Sequence, residues 1–218
     1  MSRALSLSGI AHEMPESDGV KPTLASLTHD FAAGAFHVVG GPSGSGKTTL
    51  LSILSLAVRA ARGIISLGDV EVSGLSPAAA SQWRRQHIGM VFQTSRLIRL
   101  MTVTEHIRLA ASLRGKPYAV EEGLALIHRF GLGDKLSHRP TQLSGGEKQR
   151  VAIAQALCFQ PKILLADEPT AALDATNAGR VADTLKAYAR TANAIVICVS
   201  HDHAVIDVAD DYLMLTKP

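Results

Sequence analysis

From Gly41 to Thr48 the chain reads Gly-Pro-Ser-Gly-Ser-Gly-Lys-Thr, directly after the apolar run Phe36, His37, Val38 and Val39. That order asks for a strand running into a tight loop and a helix leaving it. Glycines accept positive φ, so Gly41, Pro42, Ser43, Gly44, Ser45 and Gly46 can close around an anion with the backbone N–H groups of all but Pro42 aimed inward. Lys47 adds a point charge, with Thr48 and Thr49 beside it. The spacing predicts a helix over Lys47 to Ala57, whose N-terminus carries a partial positive charge of about half a unit. A nucleotide is therefore the expected ligand, with Thr48 on its Mg²⁺.

Further along, Ile163, Leu164, Leu165 and Ala166 form an apolar run of the buried parallel-strand type, and it ends in Asp167 and Glu168. In open α/β sheets ligands bind outside the carboxyl ends of the strands, which places both acids beside the glycine-rich loop. Asp167 can steer Mg²⁺, and Glu168 can polarise the water that attacks a γ-phosphate.

The segment Leu143, Ser144, Gly145, Gly146, Glu147 precedes a predicted helix running to Cys158. A hydroxyl, two glycine N–H groups and a helix dipole there face one way, a second anion-binding device, although Ser144 can also simply cap its own helix. With this segment the chain resembles the ATP-binding cassette (ABC) ATPases, whose motifs occur here in the family's order. Gly41 to Thr48 is similar to their P-loop, Gln93 to their Q-loop glutamine, Leu143 to Glu147 to their signature, Asp167 and Glu168 to their acidic pair, Asp174 to their D-loop aspartate and His201 to their switch histidine. The resemblance implies an α/β P-loop NTPase fold with a mostly parallel wound sheet, N-terminal antiparallel β strands and a helical signature subdomain over about 77 to 145, all within one nucleotide-binding domain spanning 1–218. It implies ATP and Mg²⁺ as cofactors, with Thr48, Gln93 and Asp167 as metal ligands and Glu168, His201, Gln93 and Lys47 as catalytic residues. It also implies that two copies meet head-to-tail, each signature closing on the triphosphate held by its mate.

Composition agrees. The chain has 218 residues, 46% hydrophobic and 19% charged, enough for a proper core. The net charge of +3 is mild and, apart from Arg84 and Arg85, the arginines are scattered, so no nucleic-acid partner is expected. Cys158 and Cys198 sit in apolar surroundings and read as buried free thiols of a reducing compartment. No metal-site spacing is evident among the nine histidines. Nor does any apolar run reach the roughly 18 residues of a membrane span, and the N-terminus, interrupted by Ser6, Ser8, His12 and Glu13, does not resemble a secretion signal. The expected place is the cytoplasmic face of the inner membrane, held there by an integral membrane permease on another chain.

Strands are expected at Leu5 to Ala11, Leu24 to Phe31, Ile88 to Phe92, Ala194 to Val199 and Tyr212 to Leu215, with a polar turn from Glu13 to Pro22 between the first two. Helices are expected at Pro77 to His87, Val103 to Arg114, Tyr118 to Phe130 and from Asp174 to about Arg190. Two departures from the family pattern stand out. Met14 occupies the place where relatives carry an aromatic residue that stacks on adenine, and Gln155 stands where the signature helix often has an arginine. The wording around Asp167 is most like the ATPases of lipoprotein-releasing, macrolide and haem exporters. Division-type signalling and importer ATPases share the same motifs. DNA-maintenance relatives carry long insertions for which about fifty residues between Gln93 and Ser144 leave no room.

Overall fold

The computed structural model describes residues 4–16, 19–116 and 118–218. The chain opens with a long ribbon, β1 (Leu5–Glu16) and β2 (Gly19–Phe31), followed by β3 (Phe36–Gly40) and α1 (Lys47–Leu54). Next come β4 (Arg62–Leu67), β5 (Val70–Glu71), α2 (Pro77–His87) and β6 (Ile88–Val91). Two helices, α3 (Val103–Leu113) and α4 (Ala119–Arg129), lead to α5 (Gly145–Leu157) and β7 (Ile163–Asp167). The chain finishes with α6 (Ala175–Thr191), β8 (Ile195–Val199), α7 (His203–Ile206) and β9 (Asp211–Met214).

Two sheets result. One is parallel, in the order β6-β7-β8-β3-β9, and the other antiparallel, in the order β2-β1-β4-β5. All five residues of β3 and of β8 are buried, as expected for strands covered on both faces. Their side chains alternate between two cores. Val38, Leu164, Ala166, Val196 and Cys198 join Ile107, Ile127, Leu157 and Leu185 from α3, α4, α5 and α6. Val39, Ile163, Leu165, Ile197 and Val199 join α1 and the antiparallel sheet through Leu50, Ile53, Leu5 and Ile10. The α/β class and the mostly parallel sheet are as expected. Trp83 of α2 packs with this second core, and β6 carries the chain across the sheet edge before α3 begins.

Helix starts are chemically explicit. Ser76, Thr102, Ser144, Asp174 and Asp202 each accept a backbone N–H at the start of α2, α3, α5, α6 and α7. Helix ends are less legible. Leu56, Gln160 and Asn193 take positive φ just past α1, α5 and α6, where glycine is the usual signal. For that reason α1 stops at Leu54 rather than at the expected Ala57.

The expected turn over Glu13 to Pro22 is instead a continuation of the ribbon. Glu13 pairs with Pro22, Met14 with Lys21, Pro15 with Val20 and Glu16 with Gly19, and its tip at 17–18 lies outside the described residues. Solvent reaches both faces here, so the strands carry polar residues and show no alternation; Lys21 meets Glu16 at 3.4 Å. Strands β4 and β5, which the sequence did not single out, complete the antiparallel sheet.

Cys158 and Cys198 are both free and buried, as expected. Burial pushes the Cys158 thiol up to about 11 and that of Cys198 well above its ordinary value, so neither is a thiolate nucleophile near neutrality.

Ile197 tests the packing, since it is fully buried in the central strand β8. Ile197→Ala is expected to cost about 2–5 kcal/mol, read as a lower urea midpoint with an unchanged slope.

Candidate active site

Register brings the expected site residues to one edge. In the parallel sheet Val39 is level with Val199, and Val199 with Asp167. The segments leaving β3, β7 and β8, together with Gln93 after β6, therefore emerge side by side at the carboxyl ends of the strands.

The glycine-rich loop is shaped by close approach. A Cβ on Gly41, at φ +143°, would stand 2.6 Å from Ser45 Oγ and 2.7 Å from the Leu215 carbonyl. One on Gly46, at φ +92°, would stand 2.4 Å from the Thr23 carbonyl of β2. Lys47 curls over the loop, its Nζ donating to the carbonyls of Gly41 at 2.7 Å and Pro42 at 2.9 Å. Ser45 is fully buried and its Oγ has no partner within the protein, an unused polar atom inside the cradle. Thr48 and Thr49 lie in the first turn of α1.

Asp167 ends β7 and is half-buried. Burial first, and the charge of Glu168 second, raise its pKa above the usual carboxylate value, against a hydrogen bond with Thr48 and the charge of Lys47. A carboxylate held in that state beside a hydroxyl suits a divalent cation, so Asp167 and Thr48 are consistent with Mg²⁺ coordination. Gln93 is exposed in the loop after β6; Phe92, just before it, is anchored by Gln149 of α5, whose Nε2 donates to the Phe92 carbonyl at 2.9 Å.

Glu168 takes φ +45°, a strained conformation for a residue with a side chain, costing of order 1–3 kcal/mol. Its N–H donates to the Val199 carbonyl at 2.9 Å, and its Oε1 lies 2.8 Å from His201 Nδ1. That hydrogen bond, and then the carboxylate's charge, raise the His201 pKa above its ordinary 6.5. The two segments are tied again below the pair, where the buried Thr170 hydroxyl donates to Asp202 Oδ2 at 2.8 Å.

The signature segment is placed elsewhere. Leu143 is buried and fixes the start of α5, whereas Ser144 and Gly145 are exposed. Ser144 Oγ accepts from Glu147 N at 3.2 Å while Glu147 Oε2 accepts from Ser144 N at 2.7 Å, a capping box. A Cβ on Gly145 would meet nothing within 4 Å, but one on Gly146 would stand 3.0 Å from Leu173 Cδ2, beside the segment leading to Asp174. Asp174 caps α6 through Asn177 N at 2.9 Å. Among the described residues no hydrogen bond or ion pair joins Leu143–Glu147 to the loop at 41–49. Met14 is 55% exposed near the outer end of β1; closer to the loop, His12 Nδ1 lies 2.7 Å from Thr23 Oγ1.

Sequence reasoning missed Gln149, Thr170 and the strain at Glu168. Thr170 and Gln149 lie within motif segments, but only burial marks them as ties, and nothing in the sequence signals the φ of Glu168.

A family model described as "ABC transporter" matches residues 24–171. The chain belongs to the ABC transporter family. Within it, this is a cassette of the ATPase type. It is 37% identical over 220 residues to the macrolide export ATP-binding/permease protein MacB 1/2 of Paracoccus denitrificans, covering 97% of this chain but 33% of that protein. This ABC ATPase thus spans about a third of the length of that relative. With the lipoprotein-releasing system ATP-binding protein LolD of Anaeromyxobacter dehalogenans it shares 38% over 207 residues, 94% of this chain and 87% of the relative. Among solved structures, the dimeric MJ0796, a bacterial ABC transporter cassette, superposes with a TM-score of 0.90 at 29% identity, covering 98% and 94% of the two chains. A post-hydrolysis dimer of the same cassette bound to ADP and Pi gives 0.87 at 30%, covering 97% and 94%. Among the described residues of the present ATPase no helix is long and apolar enough to cross a membrane.

The Glu168–His201 pair sets a titration. The His201 imidazole is expected to titrate above 6.5, and in Glu168→Gln its midpoint should fall back toward that value in a histidine NMR titration. Because the folded pKa is the higher one, whatever stability the pair contributes is fully present below about pH 6.5 and fades as pH rises through the raised midpoint.

Proposed function

We propose that this ABC ATPase hydrolyses MgATP as a head-to-tail homodimer and drives a separate integral membrane permease from the cytoplasmic face of the inner membrane. The observation that carries the reading is an exposed, capped Ser144–Gly145 tip held apart from a phosphate cradle that already contains Lys47, Asp167, Glu168 and His201. One chain offers both halves of a site that two chains would complete.

Capping does not exhaust Ser144. A hydroxyl that accepts from Glu147 N still has a proton, which can turn from the Glu147 carboxylate to a partner's γ-phosphate, so Ser144 can serve its helix and the partner together. In the proposed site the loop from Gly41 to Gly46, through the backbone N–H groups of its residues other than Pro42, and the Lys47 ammonium hold the β- and γ-phosphates, with Thr49 behind them. Thr48, Gln93 and Asp167 would hold Mg²⁺, which neutralises charge on the phosphate oxygens. Glu168 accepts a proton from water as the water oxygen bonds to the γ-phosphorus and the bond to ADP breaks. His201 orients Glu168 and steadies the γ-phosphate. Asp174 places the start of α6 beside the signature, and Met14 lines the adenine side.

The relatives named for macrolide export and lipoprotein release support an exporter, or a system that transmits force across the membrane. The dimeric cassettes support a homodimer.

Glu168→Gln keeps shape but weakens the base. Steady-state hydrolysis should fall by about 10²- to 10⁴-fold, with an ATP-dependent dimer accumulating on size exclusion; turnover at the wild-type rate would remove Glu168 from this role. Ser144→Arg should abolish that dimer in the Glu168→Gln background while ATP binding to the monomer, followed by calorimetry, stays within about twofold, after a cap loss of about 1 kcal/mol. Loss of binding as well would place the serine in its own subunit's site.

A further inference from the structure

Histidines that sequence spacing keeps apart are brought together at the opposite end of β3 from the phosphate loop. His29 of β2, His37 of β3 and Asp211 of β9 converge so that one ligand atom from each lies within 4.8 Å of the others. His29 Nε2 is 3.1 Å and His37 Nδ1 3.0 Å from the same oxygen, Asp211 Oδ2. His37 and Asp211 are register partners in the parallel sheet, so the backbone itself holds them side by side.

The orientation of His37 is telling. Its Nε2 lies 3.0 Å from the Ala32 carbonyl, which can only accept, so that nitrogen carries a proton and Nδ1 is the one turned toward Asp211. An imidazole tethered through one N–H to a backbone carbonyl, with the other nitrogen facing a carboxylate and a second imidazole, is the usual arrangement of a metal-ligating histidine. Phe31, fully buried, stands edge-on between the two rings with centroids at 4.6 Å and 5.1 Å, which fixes both ring planes. His37 is almost wholly buried, while the His29 side chain is 22% and that of Asp211 40% exposed, leaving an entry path and room for water as a fourth ligand.

We propose that His29, His37 and Asp211 form a binding site for a first-row divalent cation of the zinc class. Two imidazoles and one carboxylate favour such an ion over Mg²⁺ or Ca²⁺, which prefer all-oxygen sets. Zinc ligands at about 2.0–2.2 Å stand roughly 3.4 Å apart in a tetrahedron, a spacing that the two nitrogens, 3.1 Å and 3.0 Å from Asp211 Oδ2 and within 4.8 Å of each other, reach by movement of the partly exposed His29 ring. The bound ion would clamp the antiparallel ribbon to the central sheet, since β2 has no other side-chain bond to β9 among the described residues. The other end of β2 carries Thr23, whose carbonyl packs on Gly46 of the phosphate loop.

The test uses the full chain, stripped with chelator and titrated with zinc chloride in the absence of nucleotide and Mg²⁺. Calorimetry should show one site per chain that His29→Ala and Asp211→Asn each weaken at least tenfold. His201→Ala, which removes the other imidazole–carboxylate pair, should leave that site's affinity unchanged. Zinc at a hundredfold excess over Kd should raise the Tm of the wild-type protein by about 5–10 °C, and that of His29→Ala by much less. Absence of zinc binding, equal affinity in the wild type and both ligand variants, or a site lost only in His201→Ala would overturn the proposal.

Discussion

The hydrogen-bond ladder of the parallel sheet sets Val39, Asp167 and Val199 level with one another. Each is followed at once by a loop with a distinct chemical inventory: backbone donors and an ammonium after β3, two carboxylates at the end of β7, an imidazole after β8. Buried on both faces, the strands have no freedom to slip, because a one-residue shift would exchange the two cores. The site's geometry is thereby inherited from apolar packing. Its polar contacts, such as Glu168 with His201 and Thr170 with Asp202, tune loops whose origins the sheet has already fixed.

The proposed second anion device follows different rules. At the start of α5 the backbone is held by Leu143 inside the core and by the reciprocal Ser144–Glu147 bonds, so the exposed tip is positioned by its own chain. Gln149, one turn further, reaches the Phe92 carbonyl beside Gln93. A displacement of the Gln93 loop would therefore be felt by the helix that presents the tip.

Much of this was legible from residue order. Long apolar runs at 36–39, 163–166 and 194–199 marked the central strands because both faces are dry, and the starts of α2 at Pro77 and α3 at Val103 stand where they were expected. Helix ends were blurred where Leu56 and Gln160 do a glycine's work at positive φ. The ribbon beyond Glu13 was read as a turn because strand pairing in water needs no apolar alternation. His29 and His37 looked unrelated to Asp211, which lies 182 and 174 residues away, since only the pairing of β9 with β3 makes them neighbours.

Gly46 meets β2 through the main-chain carbonyl of Thr23 and the Cα of Leu24, with a single side-chain carbon, Leu24 Cδ1, also in reach. Support delivered mainly by backbone atoms is nearly indifferent to what the ribbon's outward side chains are. The ribbon can accordingly accumulate substitutions while the loop beneath it keeps its shape.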